Sequence, residues 1–258
     1  MGRSELLEAV RGRDGSTVAF VPQIWQHALH LEQIDVDVLP MEPESIARAL
    51  RNMTALYGVD AVTLGADAAH LAVACYLATS SMTPNEAWQA VQRQQPLEAV
   101  PDPRAVAAAE PVTVIVEVAR RLRATLGDRA GIAVVIPDPT ALAAQLGLPG
   151  SERWAERVTI EAIRSIGEVE PELVLVVGPE TAVSPRLATV CEFFGAAVIH
   201  IGAAVAGVTV LDKIGEPAGL TDPEPGTWML TTRSEVATNA DPAVLRSALT
   251  TLRAALRR

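Results

Sequence analysis

The chain has 258 residues, is 49% hydrophobic and only 3% aromatic, and carries a formal net charge of −10. That is enough apolar material for one barrel-sized domain, expected over residues 1–258, with a core of Val, Leu, Ile and Ala. The acidic balance excludes a broad nucleic-acid surface, and the lack of a run of about eighteen apolar residues excludes a membrane-spanning helix.

The opening stretch Met1–Arg13 is charged and lacks a signal-peptide apolar segment. Residues 4–11 read as a short helix, and Thr17–Pro22 as the first strand. The end of that strand carries Gln23, Gln26, His27 and His30. A helix is predicted over Glu44–Tyr57, opened by Pro43 and closed by Gly58. The second strand, Ala61–Gly65, ends in Asp67, and a helix over 70–79 begins at His70. Residues 80–110 are rich in Pro, Gln and Ser, with one short helix at Asn85–Gln94, and read as an excursion over the mouth of the fold. A long helix over Pro111–Leu126 leads to the third strand, Gly131–Ile136, which ends at Pro137-Asp138-Pro139. Thr140–Leu146 is a short helix, and Ser151–Gly167 an amphipathic one with Ser151 as N-cap. Four strands follow, at Leu173–Gly178, Ala197–Gly202, Gly207–Asp212 and Trp228–Thr232, before a closing helix over Asp241–Arg257. Strands alternating with helices argue for a parallel sheet. The interval from Gly202 to Trp228 holds only one short strand, where two βα units would normally lie.

The polar residues at strand ends are the candidates for chemistry. His200 sits near the end of a buried strand, as a general acid or base or as a core histidine. Asp67 reads as a helix N-cap or as a carboxylate that holds a protonated nitrogen. His70, one turn further, could pair with Asp67. His27 is nearer the first strand end than His30, and reads as a substrate contact or a surface histidine. Gln23 and Gln26 are substrate donors or solvated loop. Arg233 and Glu235 share a face at the last strand end, for an anionic substrate or for a closing salt bridge. Asp138, between two prolines, reads as a turn residue. Cys75 and Cys191 match no disulfide or metal framework, Cys191 reading as helix core, so the protein is expected to be reduced and cytoplasmic. The histidines lack ligand spacing, so no metal is expected. No glycine-rich phosphate loop is present, and no cofactor is expected.

The order of short motifs resembles the uroporphyrinogen decarboxylase superfamily, which includes corrinoid-dependent methyltransferases. The carriers are Tyr57-Gly58-Val59-Asp60 before the strand ending in Asp67, Pro101-Asp102-Pro103 with the helix from Pro111, and Pro137-Asp138-Pro139-Thr140. Val183-Ser184-Pro185, Val198-Ile199-His200-Ile201-Gly202 and Leu230–Val236 followed by Asp241-Pro242 complete the series. The resemblance implies a TIM-type (β/α)8 barrel, incomplete or shortened between strands 5 and 8. Gly202 and Ser234 stand where the methyltransferases have zinc-binding cysteines, so it implies a zinc-free member. The segment Pro22–Ala28 lacks the arginines of the porphyrinogen enzymes. The implied activity is that of a decarboxylase-type acid–base lyase on an organic acid, tetrapyrrole-like or smaller. In it Asp67 orients, His200 transfers a proton and Arg233 takes a carboxylate. The alternatives are a methyltransferase partnered by a corrinoid protein, and a non-catalytic relative that binds a ligand or partner. A homodimer is expected under each, because a barrel gap would expose apolar edges.

Overall fold

The structure, a computed structural model, describes residues 2–12, 18–34, 42–179, 182–202, 208–211, 227, 229–233 and 236–256. Among them run seven strands: β1 (Ala19–Val21), β2 (Ala61–Gly65), β3 (Gly131–Pro137), β4 (Leu173–Val177), β5 (Ala197–His200), β6 (Val208–Leu211) and β7 (Met229–Thr232). Eleven helices accompany them: α1 (Arg3–Gly12), α2 (Trp25–Leu31), α3 (Pro43–Tyr57), α4 (Ala68–Thr79), α5 (Pro84–Gln92), α6 (Pro103–Ala107), α7 (Glu110–Leu126), α8 (Pro139–Gln145), α9 (Glu152–Gly167), α10 (Pro185–Phe193) and α11 (Pro242–Leu256).

Every strand pairing is parallel, in two sheets ordered β2-β3-β4-β5 and β1-β7-β6. This is an α/β fold. The sheet is not closed: among the described residues no ladder joins β1 to β2 or β5 to β6. The eighth strand of the expected barrel is not among the described residues, and most of the interval after Gly202 lies outside them.

Backbone and side-chain hydrogen bonds together suture the β1–β2 seam in place of a ladder. Asp60 N–H donates to Phe20 O at 2.9 Å, and Phe20 N–H donates to Asp60 Oδ2 at 2.8 Å. Thr63 Oγ1 accepts from Ile24 N–H and donates to Pro22 O, both at 3.1 Å. These are buried polar groups, and each finds the partner that burial demands.

Strand alternation sorts the core into two clusters. On one face Ala19, Val21, Ala61, Ala133, Val135, Leu173, Leu175, Ile199, Ile201 and Met229 pack together with Leu6 and Val10 of α1. On the other, Val62, Leu64, Ile132, Val134, Ile136, Val174 and Val176 meet the helices. The first cluster is α1-capped at the N-terminal strand ends. Glu172, 1% exposed, accepts from Arg123 Nη2 at 2.8 Å and Ile132 N–H at 2.6 Å, and pairs with Arg3 of α1. Gly131 lets α1 close in, because a Cβ there would collide with Leu6.

The middle of the chain places α5 against α4 and α6 against α9. Ser151 stands at the N-cap of α9 but its hydroxyl makes no cap bond; its carbonyl accepts from Trp154 N–H at 3.0 Å instead. No helix among the described residues is long and apolar enough to cross a membrane.

Candidate functional site

The ladder registers bring the C-terminal strand ends to one level. Gly65 pairs with Val135, Val135 with Leu175 and Leu175 with Ile199. Asp67, Asp138 and His200 therefore lie within about three residues of that level, on the order of 10 Å along the strands. Two histidine–carboxylate pairs form there, with different access to solvent.

The first pair is local. Asp67 caps α4, and its Oδ1 accepts from His70 N–H at 3.0 Å and from His70 Nδ1–H at 2.8 Å. The His70 side chain is 5% exposed and that of Asp67 37%, so the carboxylate borders solvent and the imidazole lies behind it. Burial works against the charge on Asp67. The His70 charge and hydrogen bond, with backbone N–H groups of His70 and Ala69, outweigh it and hold the carboxyl at about 2. Burial also opposes charge on His70, but the Asp67 carboxylate raises the imidazole above its ordinary value. Each partner thus favours the charged form of the other.

Aromatic rings wall His70. Trp25 meets it edge-on with centroids 6.3 Å apart, and Trp88 of α5 lies at 5.9 Å. Trp25 comes close to the end of β2 because Gly65 has no side chain; a Cβ there would be 3.3 Å from the indole. Two buried nitrogens in this cluster lack a hydrogen-bond partner among the described residues, His70 Nε2 and Trp25 Nε1. In the charged pair both are N–H donors.

The second pair is fully enclosed. His200 Nε2 lies 3.7 Å from Asp138 Oδ2, with side chains 2% and 1% exposed. Asp138 also caps α8, accepting from Ala141 N–H at 2.6 Å. Gly178 makes room for it, since a Cβ there would sit 2.5 Å from Asp138 Oδ1 and closer to the rest of the carboxylate. His200 stands in register with Val176, in the row that faces the helices, whereas its neighbours Ile199 and Ile201 belong to the α1-capped cluster. Its imidazole thus lies on the helix side of the sheet. Gly202 N–H donates to His200 Nδ1 at 3.0 Å, which leaves the proton of the neutral ring on Nε2.

That tautomer is the wrong one for zinc at Nε2, where the metal-bound ring donates through Nδ1–H. Gly202 supplies no thiolate, and Ser234 lies outside the described residues. Among the described residues no three His, Cys, Asp or Glu side chains converge as a ligand set. Among the described residues, the donors around His200 do not fit the zinc centre that the resemblance brings in.

Two of the other candidates, His27 and Gln23, have internal side-chain partners. His27 is buried rather than at the surface: Nδ1–H donates to Ala237 O at 3.1 Å, and Nε2 accepts from Tyr57 O–H at 2.8 Å. Burial lowers its pKa. Gln23 is also buried, contrary to a solvated loop. Its N–H donates to Thr232 Oγ1 at 2.9 Å and its Nε2 to Thr232 O at 2.7 Å, tying β1 to β7. Arg233 is exposed just past β7, with its N–H on Leu211 O at 3.0 Å. His30 is exposed, and Glu235 lies outside the described residues. Both cysteines are buried, which pushes the Cys191 thiol up to about 12 and Cys75 higher, so neither is a ready nucleophile.

Trp25, Trp88 and Asp138 join the site only in the folded structure. Asp138 carried the signal of a Pro-flanked cap, which it also is. For Trp25 the available signal was an aromatic just past a strand end, opposite a glycine.

The class defined so far is an α/β fold of parallel strands with polar groups at their C-terminal ends. No protein-family model matches the chain, and no curated protein matches it in sequence. Among solved structures it is similar to a methyltransferase from Methanosarcina mazei, with a TM-score of 0.71 and 15% identity over 99% of each chain. At that identity the likeness shows a shared fold.

Proposed function

We propose that the chain is a zinc-free acid–base enzyme that acts on an organic acid at the Asp67–His70 pair. The observation that carries this reading is the donor set of His70 Nε2 and Trp25 Nε1, both buried without an acceptor among the described residues, beside a partly exposed carboxylate. Buried donors left unsatisfied cost on the order of 1–3 kcal/mol each, and an anionic or enolate oxygen of a ligand would satisfy them. The seven strands then form one incomplete barrel, with the two sheets as arcs and α1 as its floor. Such a fold places chemistry at the C-terminal strand ends.

In this reading Asp67 holds His70 protonated and oriented. Strands β7 and β2 flank β1, about 10 Å apart at ordinary strand spacing. Arg233 at the end of β7 would take a substrate carboxylate, while the reacting carbon lies at His70. The step is of the decarboxylase type. The C–CO2 bond breaks, its electron pair stays on carbon, and CO2 leaves. The His70 Nε2 proton passes to that carbon, and solvent returns a proton to the imidazole. His200, whose Nε2 lies 3.7 Å from Asp138 and has no hydrogen-bond partner among the described residues, stands apart from this step.

A second reading, methyl transfer, is favoured by the fold of the Methanosarcina mazei protein alone. The experiment is CO2 release from a panel of small carboxylic acids and porphyrinogens, with wild type, His70→Gln, Asp67→Asn and Arg233→Ala. The account expects turnover of one substrate class, a loss of about 10²-fold or more in kcat for His70→Gln, and chiefly a raised KM for Arg233→Ala. Turnover that His70→Gln leaves unchanged would overturn it.

A further inference from the structure

The chain is acidic overall, yet arginines gather on one outer wall. A groove of about 530 Å³ between α6, α9 and α10 is lined by Arg104, Arg157, Arg164 and Arg186. A second hollow of about 520 Å³ also borders Arg186 and adds Arg153. Three carboxylates accompany the five arginines. Glu161 pairs with Arg164 at 2.5 Å, Glu156 with Arg186 at 3.7 Å, and Asp102 caps α6 by accepting from Arg104 N–H. The guanidinium groups of Arg104, Arg153 and Arg157 make no hydrogen bond or ion pair among the described residues. In a protein of net charge −10 this is a local reversal of sign.

The spacing describes the occupant. Arg153, Arg157, Ile160 and Arg164 follow at i, i+4, i+7 and i+11 on α9, a single stripe about 16 Å long. Arg186, near the N-terminus of α10, and Arg104 of α6 face this stripe across the groove. Ile160 and Val190 give the groove apolar lining between the charges. One phosphate cannot reach cations spread over that length. A helix with an acidic face and an apolar edge can, since its own i, i+4 carboxylates repeat at the same pitch.

We infer that this wall is the docking surface for an acidic amphipathic helix of a partner protein. Guanidinium groups bind carboxylates through paired N–H donors, and the reversed sign would orient the approach of a partner that the rest of the surface repels. The surface is separate from the Asp67–His70 pair.

The test uses a fluorescein-labelled 16-residue helical peptide, glutamates on one face and leucines beside them, with a scrambled isomer, in fluorescence anisotropy. Saturable binding is expected for the amphipathic peptide, at least about tenfold tighter than for its isomer and weakening as salt rises from about 0.05 to 0.5 M. Arg104→Glu/Arg157→Glu should weaken it by about tenfold or more while its melting temperature stays at the wild-type value. Absence of saturable binding, or binding equal in the variant, overturns the inference. Pyrophosphate competing at stoichiometric concentration also overturns it, by making this a small-anion site. A dimer that the variant converts to monomer overturns it in favour of a second copy as occupant.

Discussion

Gly178→Ala tests the enclosed pair at its tightest point. The new Cβ would lie 2.5 Å from Asp138 Oδ1 and nearer still to the other carboxylate atoms, whereas ordinary contact begins near 3.4 Å. The carboxylate must therefore retreat by about 0.9 Å or more, and it has no free direction in a well-packed interior. Its Oδ1 holds the 2.6 Å cap bond to Ala141 N–H, and the residue is 1% exposed. Losing the cap costs about 1 kcal/mol, and overpacking a buried site adds about 1–3 kcal/mol. The sum, about 2–4 kcal/mol, lowers Tm by roughly 4–15 °C for a domain of this size. The assay is thermal unfolding of Gly178→Ala, Asp138→Ala and the double variant. Removing the carboxylate removes the clash, so the double variant should be less destabilised than the two single effects added, by about 1 kcal/mol or more. Additive effects, or a Gly178→Ala protein that melts with wild type, would refute the reasoning.

Glu172→Ala should be the most destabilising of the polar substitutions, by about 3 kcal/mol or more, because it strands Arg123 and the Ile132 N–H together; urea unfolding measures it, and α1 should become cleavable by protease. Thr63→Val keeps the shape but leaves Ile24 N–H without its acceptor, for a loss of about 1–3 kcal/mol in the same assay. The Asp67–His70 pair predicts a window of pH. Asp67 is depressed from 3.8 to about 2, so its contribution is present above about pH 4 and is lost as pH falls towards 2. His70 is raised above 6.5, so its contribution is present below that value and is lost as pH rises through the raised pKa. The Tm difference between wild type and Asp67→Asn should peak between those limits, and a pH-independent difference would count against the pair.

The elements with strong periodic or punctuating signals were legible in the sequence. Pro43 opens α3, and Gly58, at φ 61°, closes it. The apolar run Ala61–Gly65 is β2 at the expected limits. α2 was not legible, because it has only seven residues and Ile24 at its N-cap offers no side-chain bond. The five-residue α6 was hidden for the same reason of length. The Asp67–His70 pairing follows from local spacing and was legible. The orphaned Trp25 nitrogen was not, since it depends on Gly65, about forty residues further along the chain. His200 shows the limit of strand-end reasoning. Position near the end was right, but the face depends on the register with Val176, which is non-local. For Gln23 and His27 the sequence likewise offers only nearness to a strand end, while their partners Thr232, Ala237 and Tyr57 come from distant segments.

The most direct measurement is the ¹⁵N resonance of the His70 ring followed against pH, in wild type and Asp67→Asn. The account predicts that His70 stays an imidazolium above the ordinary value of about 6.5 and that Asp67→Asn brings its titration down to or below that value. A His70 that titrates below 6.5 in wild type, or that Asp67→Asn leaves unmoved, would contradict the acid–base role at the centre of the account.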